Sequence, residues 1–154
     1  MEPHGSFGRL LVPVDFSPFS KHALRMAVRL ARLCGAEIHL LHVVPEYEMA
    51  SAFRIALPDR EELEARAEQW AARAFDDYLR GDPLEGVGLV RAVRYGRPSA
   101  EIGRYADELA VDLIVIASHG RSGFERAVFG SVAAKVLYTV DRPVLVVKGG
   151  GHPA

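Results

Sequence analysis

A glycine- and serine-rich stretch in the second half of the chain has the residue types that bind phosphate. It spans residues 117–131, reads ASHGRSGFERAVFGS, and follows an apolar run directly. Gly120 and Gly130 lack a Cβ, so backbone N–H groups there can approach a ligand closely. Gly130 also precedes a helical pattern, and a helix N-terminus offers unpaired N–H groups and partial positive charge. We expect phosphate to contact the N–H groups of Gly120, Ser131 and Val132 and the Ser131 hydroxyl, with charge from Arg121 or Arg126.

An acidic residue follows the first apolar run of the chain. The run LLVPV at 10–14 is succeeded by Asp15, whose carboxylate could accept hydrogen bonds from a ribose hydroxyl or hold Mg²⁺ through water. No GxxxxGK[ST] motif is present, and no GxGxxG follows this run. On spacing alone, a glycine-rich connection with a capped helix explains the 117–131 stretch as well as phosphate binding does.

The elements that must position these residues alternate along the chain. Apolar runs predict strands at 10–14, 38–44, 87–95, 112–117 and 143–148, and helices begin at Ser17-Pro18, Asp59, Pro98 and Gly130-Ser131. This alternation predicts a doubly wound α/β domain: one five-stranded parallel sheet with helices on both faces. Ligands bind beyond the carboxyl ends of strands in such sheets, where the winding reverses. Helical periodicity places Leu33, Cys34, Trp70 and Leu137 toward the core.

Composition limits the partners and the compartment. The 154 residues fit one domain at 9–148, with flexible ends at 1–8 and 149–154. A net charge of −1 does not predict nucleic-acid binding. The sequence has no run of about 18 apolar residues, so no membrane span is predicted. The single cysteine, Cys34, is typical of a cytoplasmic protein. Residues 45–58 have no clear period, so a mobile lid and a plain insertion both remain open.

Several stretches together resemble the universal stress protein family. They cover the chain from Leu10 to Lys148 and read LLVPVDFS (10–17), LLHVV (40–44), YGRPSAEI (95–102), DLIVIASHGRSGFERAVFGSVAAKVL (112–137) and PVLVVK (143–148). The resemblance implies a sheet of order 3-2-1-4-5. The ATP-binding branch of this family carries G-x2-G-x9-G-[ST]. This chain matches the motif except at its first position, where Ala117 replaces glycine.

The resemblance also implies roles for individual residues. Gly120, Gly130, Ser131 and Val132 would hold phosphates, and Ala117 would stand at the first motif position of the same nucleotide site. Asp15 would hold the ribose or the adenine side, Pro13 would line the adenine pocket, and the backbone of Val43 would contact the base edge. It further implies a homodimer through the last strand, residues 143–148. The physical argument agrees, because an apolar edge strand is an aggregation hazard unless it is paired.

The sequence therefore favours a regulator that binds ATP or a related adenine nucleotide. Slow ATP hydrolysis and a nucleotide-free dimeric interaction module are the alternatives. No convincing acid–base pair is present, and His119 is expected to pack or hydrogen-bond within its loop. His39 and His42 are three residues apart on a strand, so they are expected on opposite faces rather than in a metal site.

Overall fold

The computed structural model describes residues 6–45, 59–120 and 129–149, which alternate between strands and helices. The strands are β1 (Arg9–Pro13), β2 (Glu37–Val44), β3 (Leu89–Tyr95), β4 (Leu113–Ala117) and β5 (Val144–Val147). The helices are α1 (Pro18–Cys34), α2 (Arg60–Leu79), α3 (Pro98–Glu108) and α4 (Ser131–Thr139).

The five strands form one parallel sheet in the order β3-β2-β1-β4-β5, which confirms the predicted fold and strand order. β1 lies between β2 and β4, so the chain winds outward in both directions from the centre of the sheet. The carboxyl ends of β1 and β4 are therefore neighbours at the point where winding reverses, where open α/β sheets bind ligands.

Two apolar layers cover the sheet. Alternate strand residues such as Leu10 and Val12 pack with α1 and α2 on one face. Their neighbours, such as Leu11 and Ile114, pack with α3 and α4 on the other. All five residues of β4 are buried, because a central parallel strand is covered on both faces.

Local sequence explains where α1 begins and ends. Ser17 is the N-cap, its Oγ accepts the Ser20 N–H at 3.2 Å, and Pro18 occupies the first turn. Gly35 closes the helix in the left-handed conformation at φ 70°, which glycine adopts without a Cβ penalty. Asp59 likewise caps α2. The helix starts predicted at Ser17-Pro18 and Asp59 are confirmed.

Three side chains predicted to face the core are exposed instead. Leu33 is 83%, Trp70 49% and Leu137 40% accessible. Each lies on a helix one or two positions from a buried residue, and a step of one residue turns the helix by about 100°. The buried neighbours are Ala31, Ala71 and Val136. Cys34 is half-buried against the core on the α1 side.

Several predictions fall wholly or partly outside the described residues. They concern Arg121 and Arg126, most of the 45–58 segment and most of both chain ends. Gly149 is described and lies against Phe19. Within the described parts of the chain, no helix is both long enough and apolar enough to cross a membrane.

Candidate functional site

A crevice of about 290 Å³ opens at the carboxyl ends of β1 and β4. Every predicted site residue that the structure describes lines it: Pro13, Asp15, Val43, Ala117, Gly120, Gly130, Ser131 and Val132. Arg121 lies outside the described residues. Pro13 and Val132 are 119 positions apart in the sequence and line the same cavity. They meet because parallel strands end at the same edge of the sheet.

The rest of the lining was not predicted from the sequence. It consists of Val14, Ser20, Leu41, His42, Pro45, Pro98, Ile102, Ile116, Ser118, His119 and Ala133. Pro45 directly follows β2, and Pro98 opens the helix that follows β3. Their positions just after strand ends could have indicated that they line the site, since loops at that edge of the sheet surround the ligand site.

One end of the crevice is the N-terminus of α4. Gly130 is its N-cap and makes no side-chain capping bond. The N–H groups of Ser131, Val132 and Ala133 belong to the first turn, where no helical carbonyl is available to accept them. Together with the helix dipole, these groups make this end of the crevice attractive to an anion.

Gly130 contributes space rather than a donor. Its N–H donates to the Ser118 carbonyl at 2.6 Å and is therefore already used. A Cβ at this position would lie 3.3 Å from the Ser118 oxygen and 3.4 Å from the His119 Cα, both backbone atoms. Glycine allows the start of α4 to pack directly on the chain leaving β4.

Asp15 lines the same crevice as the α4 N-terminus, accepts one backbone hydrogen bond and lies close to Gly120. Its Oδ1 accepts the Ser17 N–H at 3.0 Å. Its Oδ2 lies 2.6 Å from the point that a Cβ on Gly120 would occupy. The absence of a side chain at Gly120 therefore leaves room for the carboxylate, which places one negative group beside the glycine-rich loop.

The residue after Asp15 has a strained backbone. Phe16 has a φ of 63°, which costs a residue other than glycine about 1–2 kcal/mol. Its ring centroid lies 4.5 Å from His42, 5.1 Å from Phe75, 5.5 Å from Tyr78 and 5.8 Å from Trp70. Each aromatic pair contributes about 0.5–1.5 kcal/mol, so the four pairs together offset the strain.

Two histidines also line the crevice. Buried His42 donates its Nδ1–H to the Val14 carbonyl at 2.8 Å. The Nδ1 of His119 lies 3.0 Å from the Ser118 Oγ, and its ring is 6.2 Å from that of Phe19. His119 thus packs and hydrogen-bonds within its loop as predicted.

His39 belongs to the other face of the sheet. Its two ring nitrogens lie 2.9 Å from the Tyr105 hydroxyl and 2.8 Å from a Glu37 oxygen. His39 and His42 therefore point away from each other, as their spacing predicted. No group of three His, Cys, Asp or Glu side chains suited to a metal ion occurs in the described ranges.

Comparison with known proteins agrees with this architecture. The model of the universal stress protein family matches residues 6–148. Universal stress protein YxiE of Bacillus subtilis is 31% identical over 147 residues, covering 92% of this chain and 99% of that protein. The solved structure of MJ0577 of Methanocaldococcus jannaschii has a TM-score of 0.81 at 28% identity, covering 96% of this chain and 100% of that chain.

Two more distant solved structures share the fold and were determined as nucleotide complexes. A universal stress protein in complex with cAMP has a TM-score of 0.65 at 20% identity, covering 95% of this chain and 100% of that chain. A universal stress protein of Archaeoglobus fulgidus in complex with dAMP has a TM-score of 0.58 at 24% identity, covering 94% of this chain and 100% of that chain. With a family match over nearly its whole length, the chain belongs to the universal stress protein family.

Proposed function

We propose that this protein binds ATP or a related adenine nucleotide in the crevice and acts as a stress-response regulator whose state depends on occupancy. One observation carries the proposal: the α4 N-terminus, which has no side-chain cap, and Asp15 line the same crevice. Such a cavity offers amide donors to phosphate and a carboxylate acceptor to sugar hydroxyls. Two distant solved structures of the same fold contain cAMP and dAMP, respectively, which agrees with the ligand class.

The lining suggests how the nucleotide lies. Phosphates would accept hydrogen bonds from the N–H groups of Ser131 and Val132 and from the Ser131 hydroxyl. The ribose would donate to Asp15, which leaves the apolar wall formed by Pro13 and Val43 for adenine. Gly130 would provide clearance, because its own N–H is held by Ser118.

Ala117 replaces the first glycine of the motif at the end of β4. The residue is 7% exposed and lines the crevice, and alanine keeps the backbone N–H that glycine would offer. The change adds one methyl group to the wall and leaves the donors of α4 in place. Any Mg²⁺ would accompany the phosphates, with Asp15 contacting it through water, and Arg121 would add positive charge.

Nucleotide release and titration test this proposal. We expect the purified protein, once denatured, to release an adenine nucleotide, and the nucleotide-free protein to bind ATP with micromolar affinity. Gly130→Val should weaken ATP binding at least about tenfold, because a side chain pressing on the Ser118 and His119 backbone moves the α4 N-terminus away from the phosphates.

Gly88→Val is the matched control for this substitution. Gly88 precedes β3 at the opposite edge of the sheet, where the atoms nearest to an added Cβ belong to Glu37 and lie at 3.6–3.8 Å, an ordinary contact distance. Equal ATP affinity in Gly130→Val and Gly88→Val would refute the phosphate assignment. Absence of binding to the parent would favour the nucleotide-free module, and turnover of bound ATP would favour the hydrolase.

We also propose a homodimer through β5. This strand ends the sheet, and its four residues are apolar and half-buried. The opposite edge strand, β3, carries Arg91 and Arg94, which pair with Asp76 and Glu108. Charged side chains discourage edge pairing. The uncharged β5 edge is therefore the better surface for antiparallel pairing with a second copy, which twofold symmetry would close.

A further inference from the structure

Phe16, the residue after Asp15, connects Asp15 to α2. The carboxylate is held by the Ser17 N–H and lies against Gly120, so its position follows from the path of the backbone through residue 16. That path is the left-handed turn at Phe16. A residue other than glycine keeps such a conformation only when its surroundings enforce it.

The surroundings of Phe16 come mainly from α2. The rings of Trp70, Phe75 and Tyr78 all meet the Phe16 ring edge-on, with interplanar angles of 75–81°. From the sheet side, His42 contacts Phe16 and is hydrogen-bonded to the Val14 carbonyl, one residue before Asp15. We call Phe16, His42, Trp70, Phe75 and Tyr78 the ring cluster.

Phe75 and Trp70, two α2 members of the ring cluster, differ in solvent exposure. Phe75 is 1% exposed and fixed in the core, whereas Trp70 is 49% exposed at the outer margin of the ring cluster. Neither Phe16 nor Trp70 is among the described residues that line the crevice. Among the described residues, a change at Trp70 on ligand binding would therefore pass through Phe16 or through His42, which lines the crevice and contacts Trp70.

We propose that Phe16 is a positioning residue that holds the Asp15 carboxylate toward its ligand and couples occupancy of the crevice to the packing of α2. The inference rests on the proposed function, since nucleotide binding is its readout. A ligand hydroxyl on Asp15 restrains the turn, the turn restrains the Phe16 ring, and the ring restrains α2 through Trp70. The surface of α2 around Trp70 is then the part of the molecule that reports nucleotide state.

Trp70 provides a direct test, because it is the only tryptophan in the chain. ATP is titrated into the parent protein while Trp70 emission is excited at wavelengths that adenine does not absorb, and calorimetry measures binding independently. We expect emission to change in proportion to occupancy. Phe16→Leu, which removes the ring, should lose most of this change, and Phe16→Tyr, which keeps it, should retain both the change and the affinity.

A double-mutant cycle separates positioning from general destabilisation. Phe16→Leu should weaken ATP binding about tenfold in the parent and less than about twofold in an Asp15→Asn background, because the ring acts through that carboxylate. Ala110→Gly is the control. Ala110 follows α3 and, with a φ of 47°, is the other described non-glycine residue with a positive φ. Glycine there relieves the backbone strain far from the ring cluster, so both the ATP affinity and the Trp70 emission change should stay as in the parent. If Phe16→Leu does not fold, Trp70→Leu, at a half-exposed site, replaces it in the calorimetric cycle.

The outcomes distinguish this inference from the function on which it rests. No ATP binding to the parent would overturn the proposed function and the inference together. ATP binding with unchanged Trp70 emission, or with equal losses from Phe16→Leu in both backgrounds, would overturn the inference alone.

Discussion

Tyr78 is the residue with the clearest expected pH dependence. Its hydroxyl lies 2.8 Å from the Ser20 Oγ in the buried space between α1 and α2, and the Lys21 ammonium lies 3.9 Å from its ring centroid. Burial raises the pKa of Tyr78 well above its ordinary value near 10, although the bond to Ser20 opposes the shift. The folded protein therefore keeps a proton that the unfolded chain loses in alkali.

Tyr78→Phe should make the free energy of unfolding less sensitive to alkaline pH. Above about pH 10 the unfolded tyrosine ionises while the folded one stays neutral, so the parent loses up to about 1.4 kcal/mol per pH unit from this group. At pH 7 the variant should be about 1 kcal/mol less stable, because it lacks the hydrogen bond between the Tyr78 hydroxyl and Ser20. The deficit should shrink and then reverse as pH rises.

Urea unfolding of both proteins at neutral and alkaline pH measures this difference. Tyr138→Phe is the control, because Tyr138 is 91% exposed and the substitution should leave the profile unchanged. A difference between parent and Tyr78→Phe that stays constant with pH would show that the buried hydroxyl does not stay neutral in alkali.

Residue types at the crevice could be predicted, but not all of their roles. Spacing identified Gly120 and Gly130, and strand ends identified Asp15. Sequence alone could not show that Gly120 makes room for Asp15, nor that the Gly130 N–H is used by Ser118. Both facts depend on the packing of chain segments that the sequence does not bring together. Phe16 was missed for the same reason, because its conformation is enforced by helix α2.

At the scale of elements, the open edge of β5 is the feature with the largest consequence. The carbonyls of Pro143 and Val147 accept hydrogen bonds from β4, at Ile114 and Ser118. Because backbone groups alternate along a strand, those of Val144 and Val146 point away from β4 to the open edge. Among the described residues β5 pairs only with β4, so we expect these outward groups to be available to a second chain.

Val146→Pro should convert the expected dimer to a monomer. Proline removes one outward N–H and is tolerated on an edge strand, so the ladder to β4 remains. Arg91→Pro is the matched control, because it removes an outward N–H from the β3 edge and should leave the dimer intact. Sedimentation of the parent and both variants gives the masses. Monomeric parent protein at micromolar concentration, or a dimeric Val146→Pro variant, would contradict pairing through β5.

Element order and type were predictable because each run has a clear period and clear boundaries. Ser17 and Asp59 cap their helices as expected, since capping depends on local chemistry. The orientation of helix faces was less predictable. Leu33, Trp70 and Leu137 are apolar neighbours of buried positions, and tertiary packing decides which of two adjacent apolar residues faces the sheet.

At the scale of the whole molecule, the doubly wound sheet explains why the candidate site is where it is. Reversal of winding between β1 and β4 leaves their carboxyl ends without a crossing helix, and the crevice opens there. Residues of α1, α3 and α4 contribute to the walls of the crevice. The molecule thus brings one acidic strand end and one helix N-terminus together, and both belong to the proposed ligand site.

The central claim is that nucleotide phosphates meet the N-terminus of α4. A crystal structure of the protein saturated with ATP tests it most directly. We expect phosphate oxygens at about 2.7–3.2 Å from the backbone nitrogens of Ser131 and Val132, with the ribose on Asp15. An empty crevice at saturating ATP, or phosphates bound away from α4, would contradict it.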